Sequence, residues 1–345
     1  MSIRDFLQKW GWKENPFNIV PVRDPEILVG HDEELQRLHA AIMFGGDSIV
    51  EGPYGAGKTS LLRCLETYTR DTAYPIYFPR PPTTERELVD KIKRTMGIKE
   101  DLTFYSLYDQ ISESDKKVIL LVDEAQKMES GIASYLQDFS DLETSVIVYA
   151  ALDGFYLQKL PEIHRTLYDR IIEVISLRLL TKDEIKEMIR RRIQSVGGVD
   201  FEPFSEEAVE LIAEHSQGAP REALKICSSA IIKAITTKKT VIDVSLVEEV
   251  ISRRPSEILN KIKSLGRREK EVMRLFISRP TITNQDVRSE LNISSQAAYN
   301  ILARLMEKEL IEPIQSGEGK GNEYAPKELV KRVLTPDIAE RILAT

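Results

Sequence analysis

At 345 residues, with 42% hydrophobic and 30% charged side chains, the chain has a globular composition and enough length for two or three domains. No apolar run approaches the roughly 18 residues of a membrane span, and no basic segment followed by an apolar core marks a secretory signal. A formal charge of −7 excludes a protein that coats nucleic acid indiscriminately, and two cysteines without ligand-spaced partners, Cys64 and Cys227, read as buried, reduced thiols of a cytoplasmic protein.

The first strong signal in chain order is SIVEGPYGAGKTSLLRCL, residues 48–65. A short apolar run, a glycine-bearing loop and a helical apolar pattern place Gly52-Pro53-Tyr54-Gly55-Ala56-Gly57-Lys58-Thr59-Ser60 on a phosphate-cradling turn of the form G-x-x-x-x-G-K-[ST]. The glycines let backbone N–H groups approach phosphates. Lys58 then reaches the β- and γ-phosphates and the Thr59 hydroxyl holds Mg²⁺. Helices are expected over about 84–96 and 102–113. KKVILLVDEAQ follows, and its five consecutive apolar residues read as a strand buried on both faces. Asp123 and Glu124 stand at its C-terminal end, where open α/β sheets bind ligands. Asp123 suits the Mg²⁺ shell, and Glu124 suits orienting and deprotonating a water. SVIVYAALDGF (145–155) is the next strand.

These motifs resemble the AAA+ ATPases, and the resemblance extends over roughly residues 15–255. It implies ATP or ADP as ligand, slow, switch-like hydrolysis and assembly with like subunits. ILVGHDEELQRL (27–38) is similar to the family's lead-in, with Leu28, Val29 and Gly30 on the adenine side. The family places a polar sensor after the strand at 145–155. Here the candidates are Ala151, Leu152 and Asp153, so only Asp153 has the chemistry. Arg170, with Arg165 second, matches the arginine that reaches a neighbouring subunit's γ-phosphate. TKDE (181–184) is a capping box that opens a helix, and another helix starts at Ser205. Gly218-Ala-Pro-Arg221 resembles the second sensor, with Arg221 leaning over the γ-phosphate from a helical lid.

Residues 256–345 carry 15 Lys and Arg against 13 Asp and Glu, a net of +2, against −9 for the rest. Here a helix (267–278), a second helix capped by Thr283 and Asp286, the tight turn NIS, and SSQAAYNILARLMEKEL (294–310) precede two short strands around SGEGKG. That is the order of a winged helix-turn-helix. Ala298, Ile301, Leu302, Leu305 and Leu310 form the inward stripe of the 294–310 helix. Ser295, Gln296, Tyr299, Asn300 and Arg304 form the outward one, which is polar rather than basic. Gln and Asn pair with adenine edges and Arg with guanine or phosphate, while Arg288, Lys308 and Lys320 are placed for phosphates.

The expected fold is therefore α/β: an AAA+ P-loop parallel-sheet core (1–178), a helical lid (179–255) and a C-terminal winged helix-turn-helix (256–345). Core, lid and winged helix in this order resemble the archaeal origin-recognition and cell-division-cycle initiators. The expected function is ATP-dependent binding of double-stranded DNA in replication initiation or a related transaction, in a cytoplasmic, nucleoid-associated protein. Four alternatives stay open: an ATP-switched transcription regulator, a transposition-type ATPase, an ATP-gated scaffold whose winged helix docks protein, and a branch-migration motor with the same domain order.

Overall fold

Five strands, β1 (Asp47–Glu51), β2 (Ala73–Phe78), β3 (Lys117–Val122), β4 (Ser145–Ala151) and β5 (Ile171–Ser176), lie parallel in the order β2-β3-β4-β1-β5. The apolar runs bury both faces by alternation. Val118, Leu120 and Val122 join Ile147 and Tyr149 in one layer, while Ile119, Leu121, Val146 and Val148 enter the other. After α1 (Ile3–Lys9), the helices α2 (Asp32–Met43) and α3 (Lys58–Thr69) cover the second layer through Leu35, Leu38, Leu61 and Leu65. On the first layer lie α4 (Glu85–Met96), α5 (Phe104–Ser112) and α6 (Ser130–Ser140), which contribute Leu88, Ile92, Phe104, Leu107 and Phe139. Short helices α7 (Leu160–Ile163) and α8 (Arg165–Arg170) lead into β5. The structure, a computed structural model, describes residues 2–252, 255–314 and 323–334.

At the N-terminal end of β1 a carboxylate is buried in this sandwich. Asp47 is 4% exposed, accepts from the Ile147 N–H at 2.7 Å and from the Ser140 hydroxyl, and has its pKa pushed up to about 6, chiefly by burial. The folded state therefore binds this proton more tightly than an unfolded chain titrating near 3.8, so stability falls as pH rises through that window. Asp47→Asn keeps an acceptor for Ile147 and removes the buried charge. Urea unfolding of Asp47→Asn is expected to match wild type near ~pH 4 and to exceed it by roughly 3 kcal/mol at ~pH 7.5. Equal stability at the higher pH would show that the buried charge costs nothing.

The same compact unit, Met1–Val244, continues into α9 (Lys182–Ser195), α10 (Glu206–His215) and α11 (Pro220–Thr236), which pack on one another. The capping box read at TKDE forms: Glu184 N–H bonds the Thr181 hydroxyl and the Glu184 carboxylate takes the Thr181 N–H. Arg178 donates twice to the same carboxylate, at 2.7 Å each, and holds it at a pKa of about 2. The lead-in packs on these helices. Phe6, Trp12, Phe17 and Phe204 form a chain of edge-to-face rings with centroids 5.6–6.1 Å apart. Adjacent arginines of α9 then hold two passes of it by backbone carbonyls, Arg192 through Pro16 and Asn18 and Arg191 through Glu26 and Leu28.

The second unit starts at Ser245. After α12 (Val244–Ser252) and α13 (Pro255–Lys263), it holds α14 (Arg267–Ser278), β6 (Ile282–Thr283), α15 (Asn284–Leu291), α16 (Ser295–Glu307), β7 (Ile311–Ile314), β8 (Glu323–Pro326) and α17 (Glu328–Val333). The strands form an antiparallel sheet, β6-β8-β7, and with α14, α15 and α16 make a winged helix-turn-helix. Thr283 and Asp286 cap each other as expected, and Asn292, at φ +49°, makes the turn between α15 and α16. Helix α16 is shorter than its apolar pattern implied. It ends at Glu307 because Glu309 adopts φ +59°, and Leu310 reaches the core, at 1% exposure, from the turn that follows.

Candidate functional site

Gly57 caps α3 at φ +99°, a conformation that a residue with a Cβ adopts only under strain, so the loop turns directly into the helix N-terminus. The Lys58 ammonium donates to the Gly52 and Pro53 carbonyls at 2.6 and 2.9 Å. Burial lowers the Lys58 pKa, and the charges of Asp123, Asp153 and Glu124 oppose that. The Thr59 hydroxyl donates to Asp123 Oδ2 at 2.7 Å, which joins the two motifs read 64 residues apart. Asp123 is 3% exposed and also accepts from the Glu124 N–H and the Tyr77 hydroxyl, each at 2.8 Å. Burial, then the charge of Asp123, pushes the Tyr77 phenol up, so it stays a donor.

Glu124 stands in the left-handed region at φ +53°, and its side chain lines the adjoining cavity. Its carboxylate is held by the Gln126 amide and the Lys127 ammonium, each at 3.0 Å. Gln126 also accepts from the Leu152 N–H at 3.3 Å, linking Glu124 to the end of β4. Asp153, the expected polar sensor, is exposed just beyond β4 and acts on Lys58 and Glu51 through its charge.

The cavity wall combines apolar and polar residues. Leu28, Val29, Met188 and Leu224 are among the first; Tyr54, Lys58, Thr59, Ser60, Glu124 and Arg221 are among the second, with Gly55, Ala56 and Gly57 of the phosphate loop. Arg221 comes from the first turn of α11, and a Cβ added at Gly55 of the phosphate loop would stand 3.6 Å from the Ala219 Cβ at the start of that helix. Of the expected adenine-side residues, Leu28 and Val29 are buried in the wall. Gly30 instead faces Leu180 and Glu184 at the start of α9, and Gly52 and Pro53 serve Lys58 rather than the wall.

Two wall residues had no role assigned from the sequence. His31, 2% exposed, bonds the Ala56 carbonyl through Nε2 at 2.8 Å and so braces the phosphate loop. Arg192 is 7% exposed, with burial lowering its pKa, and its Nε has no hydrogen-bond partner. Its signal was present in the sequence: residue 192 falls on the apolar stripe of Ile185, Met188, Ile189 and Ile193, where a charge is out of place. Arg170 is not brought to this cavity. It precedes Ile171, which pairs with Asp47 at the opposite end of β1, and it bonds the Ser140 carbonyl and pairs with Asp141. Arg165 pairs with Asp169 on the same helix.

On α16, Ser295, Gln296, Tyr299, Asn300 and Arg304 are all exposed, and Ala298, Ile301, Leu302 and Leu305 are buried as read. Ser295 is drawn back to Asn284, at 3.1 Å, while Gln296 and Asn300 bond each other at 3.2 Å. Lys308 is committed to the buried Glu269 at 2.8 Å rather than offered outward. Lys320 lies outside the described residues.

A parallel sheet in this order, with a phosphate loop after β1 and an acidic pair after β3, defines a P-loop nucleotide-binding protein with a helical lid and a winged helix. The family described as AAA domain matches residues 46–152. A relative from Methanocaldococcus jannaschii, described as the uncharacterized HTH-type transcriptional regulator MJ0774, is 32% identical over alignments covering 72% of this chain and 75% of that one. The chain belongs to the AAA family. Its fold is similar to those of solved structures: the Aeropyrum pernix ORC2 protein in its ADP form matches 96% of this chain and 98% of its own, at TM-score 0.59 and 16% identity. Cdc6p from Pyrobaculum aerophilum matches 95% and 97%, at TM-score 0.56 and 19% identity. No helix among the described residues is long and apolar enough to cross a membrane.

Proposed function

We propose that this protein is an ATP-hydrolysing switch that binds double-stranded DNA through its winged helix, in replication initiation or a related DNA transaction. One observation carries the reading. Lys58, Thr59 and Glu124 from the core and Arg221 from the lid meet in one cavity, in a chain that also holds a winged helix with an exposed polar stripe. ATP would lay its base among Leu28, Val29 and Met188, with its phosphates along the amides of residues 55–60. The Thr59 hydroxyl and Asp123 carboxylate stand side by side as hard oxygen donors, a set that fits Mg²⁺. Bound there, that ion would offset phosphate charge. Lys58 exchanges two carbonyl partners for phosphate oxygens, and Glu124 takes a proton from water.

Arg221 links the γ-phosphate to the lid, so turnover changes how the lid rests on the phosphate loop. Arg170, with Arg165 second, is assigned to a neighbouring subunit's pocket in a homo-oligomer or with related AAA subunits, since its place at the far end of the sheet keeps it from its own. The Gln296–Asn300 pair presents two amides together to base edges, Tyr299 flanks them, and Arg304 and Lys320 are assigned to phosphate.

A second reading, an ATP-switched transcription regulator, is supported by the description of the M. jannaschii relative. Footprinting across the genome separates the two: promoter-bound sites favour regulation, and a few clustered sites favour initiation. The DNA reading itself is tested by fluorescence anisotropy at ~50 mM salt with ATP, ADP and neither, where binding is strongest. Binding that differs between nucleotides is expected, and no binding in any state would favour a winged helix that docks protein. Asn300→Ala is expected to cost ~1–3 kcal/mol for one preferred sequence only. Arg304→Ala should weaken all sequences alike and lower the salt slope by about one phosphate.

A further inference from the structure

The proposed Mg²⁺ carboxylate has a third support from an element outside both sequence motifs. Asp123 accepts three hydrogen bonds, all from uncharged donors: its neighbour's N–H on Oδ1, and the hydroxyls of Thr59 and Tyr77 together on Oδ2. The first two come from the motifs themselves. Tyr77 comes from β2, whose register with β3 sets Tyr77 opposite Leu121 and Phe78 opposite Val122, so the phenol arrives level with the end of β3. Tyr77 is 6% exposed, and the Arg63 guanidinium of α3 stacks on its ring at 3.4 Å from the centroid. A cation on that face withdraws ring density and strengthens the O–H as a donor. Arg63 is in turn paired to Glu66 at 2.7 Å, and Glu66 also lies 3.8 Å from Arg70. A chain of contacts therefore runs from the surface of α3, through an aromatic ring, to the carboxylate beside Thr59.

We propose that Tyr77, braced by Arg63, is a positioning residue that fixes the plane of the Asp123 carboxylate and thereby sets the metal affinity of the nucleotide site. The assignment rests on the ATP–Mg²⁺ reading above. Thr59 cannot do this alone, because its oxygen is itself assigned to the metal. Tyr77 is not among the residues that line the cavity and bonds Asp123, so its influence passes through that carboxylate.

The test uses Mn²⁺ as the metal probe, with free ion counted by EPR in the presence of ADP, on the full chain. Tyr77→Phe removes only the hydroxyl and is expected to weaken Mn²⁺ binding roughly tenfold, about the strength of one hydrogen bond to a charged acceptor. Binding of fluorescent ADP in EDTA is expected to stay at the wild-type value. Arg63→Met leaves the hydroxyl and removes its brace, and should fall between wild type and Tyr77→Phe. Wild-type Mn²⁺ binding by Tyr77→Phe overturns the proposal, as does an equal loss of ADP binding in EDTA, which would make Tyr77 a packing residue. Wild-type protein that binds no Mn²⁺ with ADP would instead overturn the nucleotide-site reading beneath it.

Discussion

Glu124→Gln is expected to bind ATP as tightly as wild type while turnover falls by at least ~10²-fold, the usual contribution of a positioned general base. Asp123 is the rival carboxylate, and its surroundings argue against it. It is 3% exposed, holds three hydrogen bonds and is assigned to the metal, so it has little room left for a water and its proton. Glu124 lines the cavity and is held by contacts that move easily: a side-chain amide and a lysine whose side chain is 62% exposed. The glutamine isostere keeps the Gln126 contact and the backbone turn and loses only the base. Steady-state phosphate release alongside fluorescent-nucleotide binding checks both halves. Undiminished turnover removes Glu124 from the role.

Gly218→Ala is expected to destabilise the first unit by ~2–4 kcal/mol and to lower hydrolysis with it, although the residue touches no substrate. Gly218 has φ +76°, a cost of ~1–2 kcal/mol for a residue with a Cβ, and that Cβ would lie 2.2 Å from the Leu180 carbonyl oxygen. The Leu180 N–H also donates to the Gly218 carbonyl at 2.9 Å. This contact ties the β5–α9 connection to the loop that presents Arg221, so added bulk forces them apart. Both tryptophans, Trp10 and Trp12, belong to this unit, and their fluorescence during denaturant unfolding follows it without interference from the winged helix. An unchanged midpoint would mean that the loop moves aside freely, and that lid position is not latched here.

Residues 294–310 show how far a local pattern reaches. Alternation of apolar and polar positions at helical spacing assigned the buried and exposed faces of α16 correctly, because that assignment needs only the helix's own geometry. It misplaced the helix end by three residues, since the stop is made by one left-handed residue, Glu309, within an unbroken apolar pattern. Lys308 was misread for a related reason. Its partner Glu269 lies 39 residues earlier and becomes buried only when α14 folds against the winged-helix core.

By itself the sequence determined the features whose physics is contained in one turn of backbone: the phosphate loop, the Asp-Glu pair closing a buried strand, the capping boxes at Thr181 and Thr283, and the order of helices around the winged hairpin. The tertiary structure decided the rest. Parallel strands are joined by long crossovers, so residues that share a site come from distant parts of the chain. Thr59, Tyr77 and Asp123 meet on one carboxylate from three different elements, and Arg221 lines the same cavity as the phosphate loop from a helix that starts more than 150 residues later. His31 became a wall residue because burial, which no local pattern reports for a lone imidazole, placed it there. The charge of Arg192 on an apolar stripe was legible, but its place in the cavity wall was decided by the packing of α9.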